Sequence, residues 1–144
     1  MDTPRPIGYW LKHLHDLLET QLDTTLADLD LSRRHWQVLN TLGQGRRTTP
    51  ELREALAPFR QEGARHLDDV LDDLATRGWI RVEDDDLATL TDAGHAAHAQ
   101  VAARIHQTRA TVLDGLTAEQ YAETVRVLSV MSRNVETALA ARPA

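Results

Sequence analysis

The 144-residue sequence contains no cysteine. That absence excludes disulfides, thiol nucleophiles, thiol redox sensing and cysteine-ligated zinc together. Aromatic residues make up only 4%, and lysine occurs once, at Lys12, so nearly all the positive charge is arginine. No stretch approaches the roughly 18 apolar residues that a membrane-spanning helix needs, and no membrane partner is expected. The first residues, Met1-Asp2-Thr3-Pro4-Arg5-Pro6, lack the apolar stretch of a secretion signal, which points to the cytoplasm. Also missing are a Gly-rich phosphate loop, a Gly-x-Ser-x-Gly elbow and a His-Glu-x-x-His pair. An enzyme therefore has no chemical footing, and no cofactor is expected. Positive charge is short as well: 16 basic residues face 22 acidic ones, for a net charge of −6. That balance argues against a general polyanion binder.

What is present is helical periodicity, in a chain long enough for one domain or two small subdomains sharing a core. Ile7, Leu11, Leu14, Leu18, Leu22, Leu26 and Leu29 recur at steps of four and three, which predicts one long amphipathic helix after Pro6. Ser32 reads as the cap of a second helix, with Leu31 and Trp36 in the staple positions and Trp36, Leu39 and Leu42 on one face. That helix stops at Gly43-Gln44-Gly45. Thr49-Pro50 reads as a cap and first residue of a short helix through Leu52 and Leu56. A fourth helix is expected to start near Arg60 or Gln61, to bury Leu67, Val70, Leu71 and Leu74, and to end at Arg77-Gly78. Trp79, Ile80 and Val82, then an acidic turn, then Leu87, Thr89 and Leu90 predict a short two-stranded hairpin. Thr91 should cap a long helix carrying Ala97, Val101, Ile105, Thr108 and Val112. After Gly115, Thr117 with Gln120 forms a capping box for a last helix along Tyr121, Val125, Leu128, Ser132, Val135 and Leu139.

The fold class expected is therefore mainly α with a small β-hairpin wing: a winged helix-turn-helix flanked by long helices. The outer helices are too long and apolar to be satisfied by the small central module, and a second copy of the chain would cover them. At this point the residues resemble the MarR family of winged-helix transcriptional regulators. The matching segments are Leu31-Ser32 with His35-Trp36 and Val38-Leu39, then Thr49-Pro50-Glu51-Leu52 with Leu56. Next come Leu74-Ala75-Thr76-Arg77-Gly78-Trp79-Ile80-Arg81, with Arg81 one place early against the family pattern, and Leu90-Thr91-Asp92-Ala93-Gly94. Gly115-Leu116-Thr117 looks like the start of the family's final helix. The resemblance covers nearly the whole chain. It implies an N-terminal dimerisation helix over 1–30, a DNA-binding lobe over 31–91 and C-terminal dimerisation helices over 92–144. It also implies a homodimer on a pseudo-palindromic stretch of double-stranded DNA.

In a helix-turn-helix the recognition helix lies in the major groove with its N-terminal half nearest the base edges. Arg60, Gln61, Arg65 and His66 are the candidates there, since arginine pairs bidentately with guanine and glutamine with adenine. Thr49 would offer a hydroxyl and free backbone N–H groups to a phosphate, and Arg33, Arg34, Arg46, Arg47 and Arg53 could add phosphate contacts. Residues 33 to 65 carry seven arginines against Glu51, Glu54 and Glu62, a local +4 that leaves −10 elsewhere. A solvated arginine face is the plainer alternative. Two features oppose DNA binding. The wing carries Glu83, Asp84, Asp85 and Asp86, which phosphates repel, leaving Arg81 as its basic stem residue. Asp68 and Asp69 occupy the fourth helix.

The resemblance also implies a small-molecule pocket between the lobe and the dimerisation helices, often for phenolic or aromatic-carboxylate effectors. Trp10, His13, His35 and Trp36 are the residues expected near it, as aromatic walls and imidazole donors for a planar anion. The competing reading places Trp36 in the core and His13 in solvent. The remaining histidines do not assemble a metal site: His95 and His98 share a helix face, but His66 and His106 stand alone. The leading expectation is a homodimeric repressor released by a small aromatic effector. The alternative is a winged-helix interaction module that has lost conventional DNA binding and uses its acidic wing on a basic partner.

Overall fold

A computed structural model of the chain describes residues 4–59 and 66–143. Two compact units emerge, residues 1–108 and 109–144. The first contains α1 (Ile7–Asp28), α2 (Arg33–Gln44), β1 (Arg47–Thr48), α3 (Thr49–Leu56), α4 (Leu67–Thr76), β2 (Ile80–Val82), β3 (Leu87–Leu90) and nearly all of α5 (Asp92–Ala110). The second contains α6 (Ala118–Ala140).

Most helix boundaries follow from local chemistry. Ser32 caps α2 by accepting from the His35 amide at 3.3 Å, and the His35 ring returns to the Ser32 amide. Thr117 and Gln120 form the expected box at the start of α6. α1 and α4 end in the same way. After α1, the amides of Asp30 and Leu31 bond back to Ala27 and Leu26, with Asp30 at φ 59°. After α4, Gly78 and Trp79 bond back to Ala75 and Leu74, with Gly78 at φ 78°. Both are Schellman closures, each seating an apolar residue, Leu31 or Trp79, against the turn it terminates. The second carries the expected glycine; the first uses an aspartate, which tolerates the left-handed region better than most residues.

Three expectations are corrected. The wing is a three-stranded antiparallel sheet in the order β1-β3-β2, not a two-stranded hairpin. The added strand is Arg47–Thr48, two residues too short to show any alternation in the sequence. The cap of α3 is Thr48 rather than Thr49, because Glu51 answers Thr48 three residues back: its amide donates to the Thr48 hydroxyl and its carboxylate accepts from the Thr48 amide. Finally, α4 starts at Leu67, with His66 extended at the cap position. Its first turn carries Asp68 and Asp69, whose charge complements the positive end of the helix dipole.

The core lies in the first unit as two adjoining clusters. One holds Val38, Leu39 and Leu42 of α2, Leu52 and Leu56 of α3, Val70, Leu71 and Leu74 of α4, and Ile80, Ala88 and Leu90 of the sheet. The other holds Leu26, Leu31, Val101 and Ile105, and Trp36 and Trp79 pack against both. α5 is fastened over the Trp79 backbone. The Thr91 hydroxyl donates to the Gly78 carbonyl at 2.6 Å and accepts from the Gly94 amide, while the Thr91 amide donates to the Trp79 carbonyl. A Cβ at Gly94 would lie 1.9 Å from that carbonyl oxygen, so only glycine allows this approach. α6 has no buried residue, and its Tyr121, Val125, Val135 and Leu139 are exposed.

Candidate nucleic-acid interface and effector cavity

The arginines expected to meet DNA fall into different environments. Arg33 is turned toward α1, where it pairs with Glu19 at 2.7 Å and Asp23 at 2.6 Å. Arg34 is buried and donates to the Leu56 carbonyl, closing the end of α3. Arg53 pairs with Asp68 at 3.0 Å, tying α3 to the first turn of α4. Arg46 is exposed, Arg47 is half-buried and donates to the Arg46 carbonyl, and Arg81 is exposed on β2. Arg47 lies opposite Ala88 and Arg81 opposite Thr89, successive residues of β3, so pleating sends the two arginines to opposite faces of the sheet.

Thr49 does not present a free amide. Its N–H donates to the Asp86 carbonyl at 3.1 Å, folding the wing turn onto the start of α3. Asp86 takes φ 56° there, and Glu83, Asp84, Asp85 and Asp86 are all exposed. His66 is exposed ahead of α4 and makes no capping bond with its side chain. Arg60, Gln61 and Arg65 lie outside the described residues.

The four residues expected to form an effector pocket are not gathered. Trp10 and His13 sit exposed on the first turns of α1, in ring contact with Tyr9. From Trp10 to Leu26, where α1 enters the core, is about 24 Å of helix. Trp36 is half-buried and stacks on His98 of α5 at 5.2 Å, and His98 Nε2 meets Asn40 Oδ1 at 2.8 Å. Burial, then the neighbouring His95, hold the His98 pKa below its ordinary value.

His35 is wholly buried. Its Nδ1 faces the Ser32 amide at 3.1 Å, and an amide can only donate, so this nitrogen accepts and the proton sits on Nε2. Nε2 donates to Asp73 Oδ2 at 2.7 Å, and the same oxygen accepts from Arg77 Nε at 3.0 Å. Burial works to raise the Asp73 pKa, but the His35 hydrogen bond and the Arg77 charge outweigh it, and the carboxyl titrates below its ordinary range. Arg77 then reaches the Asp30 carbonyl at 2.7 Å, and its guanidinium lies 5.1 Å from the centre of the Trp79 ring. Sequence reading missed this cluster. Only His35 in it was a candidate, and the Arg77 bond to Asp30 spans 47 residues.

A cavity of about 480 Å³ opens beside this cluster. Leu29, Leu31 and Trp79 line it together with Val101, Arg104 and Gln107 of α5. None of Trp10, His13, His35 or Trp36 lines it.

Comparison with solved structures decides the fold family. The Mycobacterium tuberculosis MarR-family protein Rv2887, solved in complex with DNA, superposes with a TM-score of 0.69 at 27% identity, over 89% of this chain and 98% of that one. The chain has the MarR-family winged-helix fold. Escherichia coli MarR in its apo form matches with a TM-score of 0.68 at 24% identity, over 90% of this chain and 98% of MarR. Bordetella bronchiseptica BpsR, whose DNA binding is regulated by 6-hydroxynicotinic acid, matches with a TM-score of 0.62 at 21% identity, over 91% and 97%. No family model matches the sequence, and no curated protein matches it. Nor is any helix among the described residues long and apolar enough to cross a membrane.

Proposed function

We propose that this MarR-family chain is a homodimeric transcriptional repressor that binds a pseudo-palindromic operator and leaves it when a small effector binds. The observation that carries the reading is the superposition, over nearly the full length of both chains, on a MarR-family protein solved on DNA. Regulation by a small molecule is supported by BpsR and by the Rv2887 complex with p-aminosalicylic acid. Dimerisation is supported by apolar side chains left exposed on both outer helices: Ile7, Trp10, Leu11 and Leu14 on α1, and Tyr121, Val125, Val135 and Leu139 on α6. A surface helix exposing such a stripe is stable only when another element covers it. A second copy is the most economical cover.

In this reading α4 enters the major groove, with Arg60, Gln61, Arg65 and His66, which precede it in the sequence, at base edges and Arg46, Arg47 and Arg81 at phosphates. Arg33 and Arg34 are left with internal structural roles. An effector acts by favouring a separation of the two lobes that does not match successive major grooves. The test is a mobility-shift assay on DNA flanking the protein's own gene, repeated across a salt series. Specific shifts with a steep salt slope are expected. A second reading, a module holding a basic protein, is favoured by the four exposed acids of the wing. Absence of any shift at low salt would select it.

A further inference from the structure

We propose that Asp68 holds Arg53 away from DNA phosphates, so that the ion pair between α3 and α4 limits the affinity of the lobe for DNA. The inference rests on the DNA-binding reading above and concerns the strength of that contact, which the fold alone does not set.

The pair sits where the two helices of the helix-turn-helix meet on the outside. α3 turns Leu52 and Leu56 into the core, and α4 turns Val70, Leu71 and Leu74 into it. Arg53 and Asp68 are left on the outer surface, with side chains 57% and 69% exposed. One guanidinium nitrogen, Nη2, donates to both carboxylate oxygens, at 3.0 and 3.3 Å. This is not the two parallel bonds, fork on fork, that make an arginine–carboxylate pair strong. An exposed pair of this kind adds little to folding stability. Arg33 is different: its side chain is only 20% exposed, fixed between Glu19 and Asp23. What the Arg53–Asp68 pair changes is charge, because a guanidinium that a phosphate would take already faces a carboxylate. A phosphate that displaces Asp68 leaves an unpaired carboxylate beside itself, and the repulsion cancels much of the gain.

The neighbouring residue separates this role from a plainer one. Asp68 and Asp69 both lie in the first turn of α4, where a carboxylate complements the helix dipole. Asp69 makes no ion pair or hydrogen bond among the described residues, whereas Asp68 holds the single basic residue of α3. The dipole accounts for two acids but not for that capture. The start of α3 is closed by the chain as well. The Thr49 amide donates to the Asp86 carbonyl, and the Glu51 amide to the Thr48 hydroxyl. α3 therefore reaches DNA with these anion-binding groups already occupied. Of these contacts only the Arg53–Asp68 pair joins two exposed charged side chains. A single substitution can release it without unmaking a cap or the wing turn.

The test measures binding to a random-sequence duplex and to DNA flanking the protein's own gene, by fluorescence anisotropy from about 50 to 200 mM salt. Asp68→Asn should bind both about fivefold or more tightly near roughly 100 mM salt, and its slope of log affinity against log salt should steepen by about 0.9 for each lobe in contact. Arg53→Gln alone should keep the wild-type slope, since the paired arginine meets no phosphate. The double variant, Arg53→Gln with Asp68→Asn, should also keep it, since no cation is released. Asp69→Asn removes the same charge from the same turn, frees no arginine, and should leave the slope unchanged. Asp68→Ser repeats the measurement if circular dichroism shows that Asp68→Asn fails to fold. With the wild type bound, an unchanged slope on releasing Asp68 overturns the proposal and leaves the regulatory reading standing. So does a shallower slope in Arg53→Gln, an equal steepening in Asp69→Asn, or a steepening that survives in the double variant. Binding by Asp68→Asn where the wild type gives none supports it; no binding by any of these proteins at the lowest salt overturns both.

Discussion

The winged-helix lobe and the C-terminal helix carry the same sequence signal and meet different fates. α2 and α4 place apolar residues at steps of three and four, and those residues are buried: Val38, Leu39, Val70 and Leu74 are each fully inaccessible. α6 repeats the pattern from Tyr121 to Leu139 with an equally sound capping box, yet buries nothing. Periodicity therefore states only that a helix has an apolar face. Whether the same chain covers that face depends on how many elements converge on it. α2 receives α3, α4 and the sheet; α6 forms a unit whose apolar side chains Val125, Val135 and Leu139 remain open.

The sharpest way to break this comparison is to truncate one leucine from each region. Leu74→Ala should lower the unfolding free energy by about 2–5 kcal/mol in urea titrations, because the lobe core cannot close the cavity left behind. Leu139→Ala should leave the unfolding of the isolated chain nearly unchanged and instead reduce the proportion of dimer in light scattering as the protein is diluted. Equal losses of intrinsic stability at both sites would erase the distinction.

Gly94→Ala tests how α5 is joined to the lobe. The added methyl cannot share space with the Trp79 carbonyl, so α5 must shift, at about 1–3 kcal/mol for an overpacked contact. The Trp79 fluorescence should change with it. Wild-type stability would mean that this join is looser than the structure shows.

Asp73→Ala should cost about 1–3 kcal/mol by removing the carboxylate that the buried His35 Nε2–H meets. The wild-type pH dependence carries the matching sign. The folded Asp73 carboxyl titrates below its unfolded value of 3.8, so its contribution is complete above that value and is lost as pH falls through the lower, folded one. The acid limb of a stability–pH curve should therefore flatten in Asp73→Ala.

The smallest effect is expected at His98. Its folded pKa lies below 6.5, so the unfolded chain takes up the proton more readily. Stability should fall modestly as pH drops below 6.5 and recover above it. A proton-resonance titration of His98 with a midpoint at or above 6.5 would contradict this.

Much of the fold was legible because its signals are local. Ser32 with His35 and Thr117 with Gln120 act within one helical turn, and Gly78 supplies a left-handed residue where α4 must stop. The Leu90-Thr91-Asp92-Ala93-Gly94 segment was legible as a signature but not as a mechanism. Thr91 and Gly94 matter through the carbonyls of Gly78 and Trp79, which lie more than ten residues away. β1 was invisible because two residues have no period, and its partner β3 is forty residues distant. Counting charge along the chain also misled at particular arginines. A count cannot tell Arg33, paired with Glu19 and Asp23, from exposed Arg46.

The sequence by itself determined which segments are helices, where most of them begin and end, the family fold they compose, and the absence of thiol chemistry. Those properties rest on side chains and backbone within a few residues of one another. Tertiary structure alone decided which apolar faces are covered, which arginines are already occupied, and that two helix ends meet through Arg77 beside a cavity that Arg104 faces. Each of these depends on groups brought together from distant parts of the chain, where desolvation and hydrogen-bond partners are set by packing rather than by spacing.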